Sequence, residues 1–581
     1  MSLCVYEFMK LFFRYSVFSL FVLLSVTEAF GEVRLLPSRF RDNMQRDSAW
    51  MCSIPVDRLL HSFRNTAGCW TSKEGGYMSM SKLGGWESLD CDLRGHTTGH
   101  LLSAFAYMYD YTGNEIFKLK GDSLVQGLKE VQQIYGNGYL SAFGEGLIKR
   151  NIEGKAVWAP WYTLHKLLAG LICQYTLTDN KDALSVLEGM TNWAYNTLKP
   201  LDEETREKML RNEFGGINES WYQISQLSTS ASDKAKWLAE FFYDNRKLDP
   251  LKEGNFNMGT LHTNTFIPKV IGVATQGYQK WIEDWFWEIN RKHTFCTGSL
   301  SQKEHFFPPE KMDQYLNGYT GETCCTYNML RLMKQLWNWN HDAAIMDEYE
   351  RALVNHILGQ QDTETGMVHY FLPLLNGAYK LYSTYDKSFW CCVGSGFENH
   401  ARYGEMIYGT SNTGDTLFVN LFIASELKTE RHGVRQETRF PYEQQTKITI
   451  LKPGHFTLAV RQPSWTAKNG ISSYKCITKK WKKGETLTFN MPMSYRLQYA
   501  NNSQTRAAVM YGPMVMAKIV GDVKKGEDFS DPMKYNDYYS YDFHVPTDLD
   551  ATLQQTKAFY KTLTPLFDIH HKRYVVYFDV K

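Results

Sequence analysis

The chain has 581 residues, a formal net charge of +2, 43% hydrophobic and 22% charged residues, the make-up of a soluble globular protein too long for one small core. So even a charge balance leaves no electrostatic footprint for a nucleic acid or an acidic polymer. Aromatic residues make up 15%, with 36 Tyr and 16 Trp; flat amphipathic rings suit sugar faces and large cores alike, so composition leaves the ligand open.

At the amino end Lys10 and Arg14 flank an apolar run from Leu11 to Val26, and Ala29 and Gly31 stand at the minus-three and minus-one spacing of a cleavage site. The pattern predicts a signal peptide over residues 1–31 and an exported protein, periplasmic or secreted. The apolar core is short for a span and no later stretch is longer, so no stable membrane span is expected after cleavage. From about residue 50 to 410, apolar residues recur at three- and four-residue spacing, as in HLLSAFAYMYDYTGN, WYTLHKLLAGLICQYTLTDN and TYNMLRLMKQLWNWNHD. Each run ends in a polar turn (Gly113-Asn114, Asp179-Asn180, Asn340-His341-Asp342), after which another helical pattern begins. Repeated helical hairpins predict an α/α toroid over residues 32–411, with a plain helical bundle as the simpler alternative. Near Thr410 the texture changes to short alternating runs, DTLFVNLFIA, TKITILK, HFTLAVRQP and ETLTFNMP. These predict a β-sandwich over 412–500, followed by a β-rich region over 501–581.

The cysteines are the specific clue. Eleven is an odd count for an exported protein, and four of them form adjacent pairs, Cys324-Cys325 and Cys391-Cys392. Neighbouring cysteines rarely bridge each other, because the ring is strained. Glu322, Cys324, Cys391 and Cys392 together offer one carboxylate and three thiolates, donors that a tetrahedral zinc ion accepts. The pairs are far apart in sequence, so such a site would be assembled from two distant loops; buried cysteines acting as small hydrophobes fit the spacing equally well. His96 and His100, four apart on one helix face, also have metal-ligand spacing, but no glutamate follows His96 as in a zinc protease.

Two signatures break this tie. Gly321-Glu322-Thr323-Cys324 with Tyr327-Asn328-Met329-Leu330, and Cys391-Cys392-Val393-Gly394-Ser395-Gly396-Phe397-Glu398-Asn399-His400, resemble the paired motifs of glycoside hydrolase families 127 and 146. Shorter matches run in order through the chain at Gly95-His96, Gly99-His100, Trp161 to Lys166, Gly215 to Glu219, His262 to Thr265 and Glu350 to Leu353. The resemblance implies a mainly α protein, an (α/α)6 catalytic domain followed by a C-terminal β-sandwich region. It implies that Glu322, Cys324, Cys391 and Cys392 hold Zn2+ and that Cys391 is the nucleophile. Glu304, in a GSLSQKEHF setting, takes the place of the family's acid/base glutamate. His96, His165, His262 and Glu350 become the residues that bind sugar. The chemistry is coherent, since a metal-held sulfur is a thiolate at neutral pH and can replace one carboxylate of a retaining pair. Cys325 beside the ligand pair, and Ser299 and Leu300 before Glu304, depart from the pattern.

The expected function is therefore an exo-acting, retaining removal of terminal β-L-arabinofuranose from plant cell-wall glycans. Two alternatives stay open at this level. One keeps the machinery on another terminal sugar of pectin, acidic or branched; the other is a carbohydrate-binding protein in which zinc is structural.

Overall fold

The structure, a computed structural model, describes residues 32–69, 82–523, 548–549 and 557–580. The expected signal peptide lies outside the described residues. The described residues form two compact units, one from 42–402 with 493–580 and the other from 32–41 with 403–492.

The larger unit is built on six helices, α1 (His96–Thr112), α2 (Pro160–Thr178), α3 (Ile217–Ser225), α4 (Thr263–Ala274), α5 (Thr323–Asn340) and α6 (Cys391–Ala401). Each packs on the next and α6 packs back on α1, which closes the ring. Helices Glu115–Tyr135, Lys181–Leu198, Ser232–Phe241, Lys280–His293 and Ala343–Ala352 follow α1 to α5 as return arms. The return arms carry an apolar stripe, such as Leu124, Leu128 and Val131, whereas α1 and α2 are buried nearly all round, as inner and outer positions of a toroid require.

Three of the hairpin turns share one device. Gly113, Asp179 and His341 end their helices in the left-handed region. The next residue, Asn114, Asn180 or Asp342, caps the following helix by accepting a backbone N–H at 2.9–3.2 Å, as end-to-start punctuation. Helices α1 and α2 cross in near backbone contact. A Cβ on Gly99 would stand 2.4 Å from the Lys166 carbonyl oxygen, and one on Gly170 would stand 2.4 Å from that of Gly99.

The same unit contains a sheet made by the carboxyl-terminal strands, among them Arg506–Tyr511, Met514–Asp522 and Tyr577–Val580. Met510, Val515, Tyr574 and Tyr577 form one core with Phe295, Phe307 and Leu372, and the Tyr577 hydroxyl accepts the Cys296 N–H at 2.9 Å. This core supports the segment that runs on to Glu304. The smaller unit holds a five-stranded antiparallel sheet and a four-stranded one; strand Gln445–Ile450 alternates buried and open positions, as a strand with one covered face does. No described helix is long and apolar enough to cross a membrane.

Candidate active site

Inner helices of successive hairpins run the same way, so their amino ends meet at one end of the ring. There they line a cavity of about 290 Å³ with residues such as His100, His165, Asn264, Cys324, Tyr327 and Cys391. Helix amino termini carry partial positive charge, which favours anions at this end.

Two of these termini hold all four residues of the carboxylate and thiol set. Glu322 is the N-cap of α5 with Cys324 at its second position, and Cys391 and Cys392 open α6. Their donor atoms lie within 4.8 Å of one another, all buried. Cys324 Sγ is 3.3 Å from Cys392 Sγ, and Cys391 Sγ is 4.0 Å from Cys392 Sγ and 3.9 Å from Glu322 Oε1. Cys325 stands outside this set and donates its thiol proton to Glu322 Oε2 at 3.1 Å.

The electrostatics of the set are compatible with a cation. Burial pushes the thiols of Cys391 and Cys392 and the carboxyl of Glu322 well above their usual ranges. Burial opposes a charge on Cys324 as well, but hydrogen bonds from the Cys391 and Cys392 thiols and the Ser395 hydroxyl outweigh it and hold this thiol at about 6. Left to themselves the four acids thus share little negative charge, and a full set of anions in a buried site is stable only around a positive ion. The cluster could hold a metal ion.

Glu304 reaches the cavity from a tight loop in which Ser301, Lys303 and Glu304 all have positive φ, a conformation that non-glycine residues hold only under constraint. The constraint is visible. Glu304 O accepts the Thr263 N–H at 2.7 Å, Ser301 O accepts the Gly321 N–H at 3.0 Å, and Ser301 Oγ accepts the Glu322 N–H at 3.2 Å. The loop is thereby fixed to the amino ends of both α4 and α5. Tyr370 donates its hydroxyl to Glu304 Oε1, and the same hydroxyl lies 3.4 Å from Cys391 Sγ. His262 Nε2 is 3.5 Å from Glu304 Oε2. Burial works to raise the Glu304 carboxyl, but His262 and Tyr370 outweigh it and hold it below the usual range.

Of the four residues assigned to sugar binding, His165 and His262 line the cavity. His165 Nδ1 accepts the Gly216 N–H at 3.1 Å, and burial with the neighbouring Lys166 charge keeps the ring neutral. That fixes the proton on Nε2, which is a donor. His96 is fully buried with Nδ1 against Leu93 O at 2.8 Å and Glu87 Oε1 at 2.9 Å. Glu350 is buried in the return helix Ala343–Ala352. Neither is among the residues lining the cavity.

His100, noted in the sequence for its spacing to His96, also lines the wall. His100 donates Nδ1–H to Glu398 Oε1 at 2.6 Å and leaves Nε2 buried without a partner. Burial and Lys166 lower it to about 4, so the ring is neutral at pH 7 with Nε2 as an acceptor. Burial would raise Glu398, yet its hydrogen bond from His100 and the charges of Lys166 and Arg402 take it down to about 2. Since His100 is itself neutral above about 4, the hydrogen bond and the two permanent cations carry that effect at neutral pH. Glu398 also accepts from Tyr327 Oη at 2.5 Å. Tyr370, in the aromatic run MVHYFLP, had no sequence signal at all; it reaches the site because Thr323 N–H donates to Tyr370 O at 2.9 Å and sets the two segments side by side.

The family description "Beta-L-arabinofuranosidase, GH127 catalytic domain" matches residues 32–405, and "Beta-L-arabinofuranosidase, GH127 middle domain" matches residues 416–493. Among solved structures, the GH127 β-L-arabinofuranosidase Ara127N from Geobacillus stearothermophilus T6 is 16% identical at a TM-score of 0.64, covering 94% of this chain and 100% of its own. A GH127 β-arabinofuranosidase is 17% identical at 0.69, covering 95% and 97%. A third structure, described as a glycoside hydrolase, is 17% identical at 0.63, covering 86% and 84%. At these identities the likeness speaks for the fold. No curated protein matches the sequence. With its catalytic-domain match spanning well over half of the chain, the protein belongs to the GH127 β-L-arabinofuranosidase family of glycoside hydrolases.

Proposed function

We propose that the protein is an exo-acting, retaining β-L-arabinofuranosidase of plant cell-wall glycans, with Cys391 as nucleophile, Glu304 as acid/base and zinc on Glu322, Cys324, Cys391 and Cys392. The observation that carries this reading is the single Tyr370 hydroxyl that touches both Glu304 and Cys391 Sγ. Nucleophile and acid one hydroxyl apart match the short separation of a retaining pair, about 5–5.5 Å between carboxyls, rather than the roughly 6.5–9.5 Å that admits a water.

The donor set suits zinc. Ligand atoms of a tetrahedral thiolate site stand roughly 3.8 Å apart, and the sulfur pairs here stand at 3.3 and 4.0 Å. When bound, zinc would hold the Cys391 sulfur as a thiolate at neutral pH. In the first step Cys391 Sγ bonds to the anomeric carbon, the bond to the leaving oxygen breaks, and Glu304 gives that oxygen its proton. In the second, Glu304 takes a proton from water, the water oxygen bonds to the anomeric carbon from the vacated side, and the sulfur leaves as thiolate. His100 Nε2 as acceptor and His165 Nε2–H as donor would read hydroxyls of the terminal ring, with His262 beside the acid. A cavity of about 290 Å³ suits one terminal residue. A purely structural metal site would close over its thiols, whereas Cys391 lines the cavity.

Lys166 favours a second reading. Buried at the cavity wall, it adds a cation that a terminal acidic sugar could use, although the Glu398 charge offsets it. Hydrolysis of an aryl β-L-arabinofuranoside by the zinc-loaded protein under reducing conditions separates the two. Aryl release that is lost on strong chelation and restored by zinc supports the first reading. A folded, zinc-containing protein that releases nothing moves the assignment to an acidic sugar or to a structural metal.

A further inference from the structure

Two tryptophans, Trp86 and Trp158, stand in the cavity wall beside the chemistry. Their rings meet edge to face, with centroids 4.9 Å apart and planes at 69°. Trp158 is 47% exposed, so its face is not consumed by packing.

Both rings are held from the backbone. Trp86 sits on the turn Gly85–Glu87, whose Gly84 N–H donates to Asp386 O at 3.1 Å and whose Trp86 N–H donates to Ser388 O at 3.2 Å. The turn presses so closely on the segment leading to Cys391 that a Cβ on Gly85, at φ +57°, would fall 1.9 Å from Ser388 O. Glu87 secures its other end by accepting the Gly95 and Thr97 N–H groups at 2.6 and 2.8 Å. Trp158 N–H donates to Asp92 Oδ2 at 3.0 Å, Val157 O accepts from Asn212 Nδ2 at 2.9 Å, and Ala159 turns left-handed at φ 46° into α2. The corner is therefore pre-formed and costs little ordering when a ligand arrives.

Its place relative to the chemistry gives it a direction. The Tyr370 ring, whose hydroxyl touches Glu304 and Cys391, has its centroid 6.3 Å from that of Trp86. A leaving oxygen must lie against Glu304, and the Tyr370 that bonds this carboxyl has its ring beside Trp86, so the sugar that carries the oxygen comes within reach of the two indoles. The C–H faces of a sugar ring are apolar and match flat amphipathic indoles.

We propose that Trp86 and Trp158 form the leaving-group subsite, an aromatic corner that stacks the sugar from which the terminal residue is cut. This assignment rests on the glycosidase reading above. The test compares kcat/KM for methyl β-L-arabinofuranoside and for a β-L-arabinofuranosyl disaccharide in the wild type and in Trp158→Ala. The disaccharide is expected to lose about five- to tenfold more than the methyl glycoside, the scale of one aromatic contact. Equal losses on both substrates, or no loss on either, overturn the assignment. If the wild type cleaves neither, the sugar identity proposed above fails on its own account. The subsite is then decided by tryptophan fluorescence during titration with an arabino-oligosaccharide. Saturable quenching that Trp158→Ala removes supports it, and quenching absent from the wild type or retained by the variant overturns it.

Discussion

Cys391 opens a helix and lines the cavity together with Cys324, while Cys392 is not among the lining residues. Replacing Cys391 with serine keeps nearly the same volume but substitutes an alkoxide precursor that ionises far less readily. Cys391→Ser is expected to lose activity by about a thousandfold or more, roughly 4 kcal/mol of barrier, with an unchanged circular dichroism spectrum. Glu304→Gln removes a proton donor, worth about 10²–10⁴-fold; substrates with good aryl leaving groups should recover part of the first step, which steady-state rates across a leaving-group series would reveal. His262 helps hold the Glu304 carboxyl below its usual range. Removing it in His262→Ala raises that pKa, so the protonated form persists to higher pH and the basic limb of the kcat/KM profile moves up. A limb that stays put or moves down would separate His262 from the acid. At this scale the Glu322 and cysteine set was legible through the two motifs that carry the family resemblance, since residue type and spacing alone left buried cysteines equally open. The choice between His96 and His100 was not. One turn apart on the same helix face, both tie Nδ1 to a carboxylate, His96 to Glu87 and His100 to Glu398, and segments outside the helix decide that His100 is the one lining the cavity.

At the scale of elements, Glu398 ties three inner helices together, for it lies on α6 and accepts from His100 on α1 and Tyr327 on α5. Its carboxyl falls from the ordinary 4.5 to about 2 in the folded protein. A depressed carboxyl contributes stability that is complete above the unfolded value and is lost as pH falls toward the folded one. Glu398→Gln is thus expected to cost on the order of 2–3 kcal/mol at pH 7, as loss of buried charged hydrogen bonds does. The gap to wild type in denaturant midpoint should narrow between pH 4.5 and about 2. The crossing of α1 and α2 makes a second prediction. Gly99→Ala forces a methyl against the Lys166 carbonyl, and overpacking of this kind costs about 1–3 kcal/mol, read as a lower melting temperature. The hairpins themselves were legible because an αL residue followed by Asn or Asp is a local signal. The loop that carries Glu304 was not, since three left-handed non-glycine residues are imposed by neighbours rather than by their own preferences.

For the whole molecule, the ring of six inner helices brings amino ends to one place and so concentrates both positive potential and the Glu322 and cysteine cluster there. The change from helical to alternating patterns was plain in the sequence. That the last strands share a core with Phe295 and Phe307 was not, because strand pairing across the length of a chain leaves no local trace. The central claim is that a cysteine sulfur carries the sugar between the two steps. It is tested most directly by mixing Glu304→Gln with an activated aryl β-L-arabinofuranoside, quenching in acid, and mapping the protein by peptide mass spectrometry. The account predicts one pentosyl group on the peptide containing Cys391, absent when Cys391→Ser is added. A pentosyl group on any other residue, or full turnover by the Cys391→Ser protein, would contradict it.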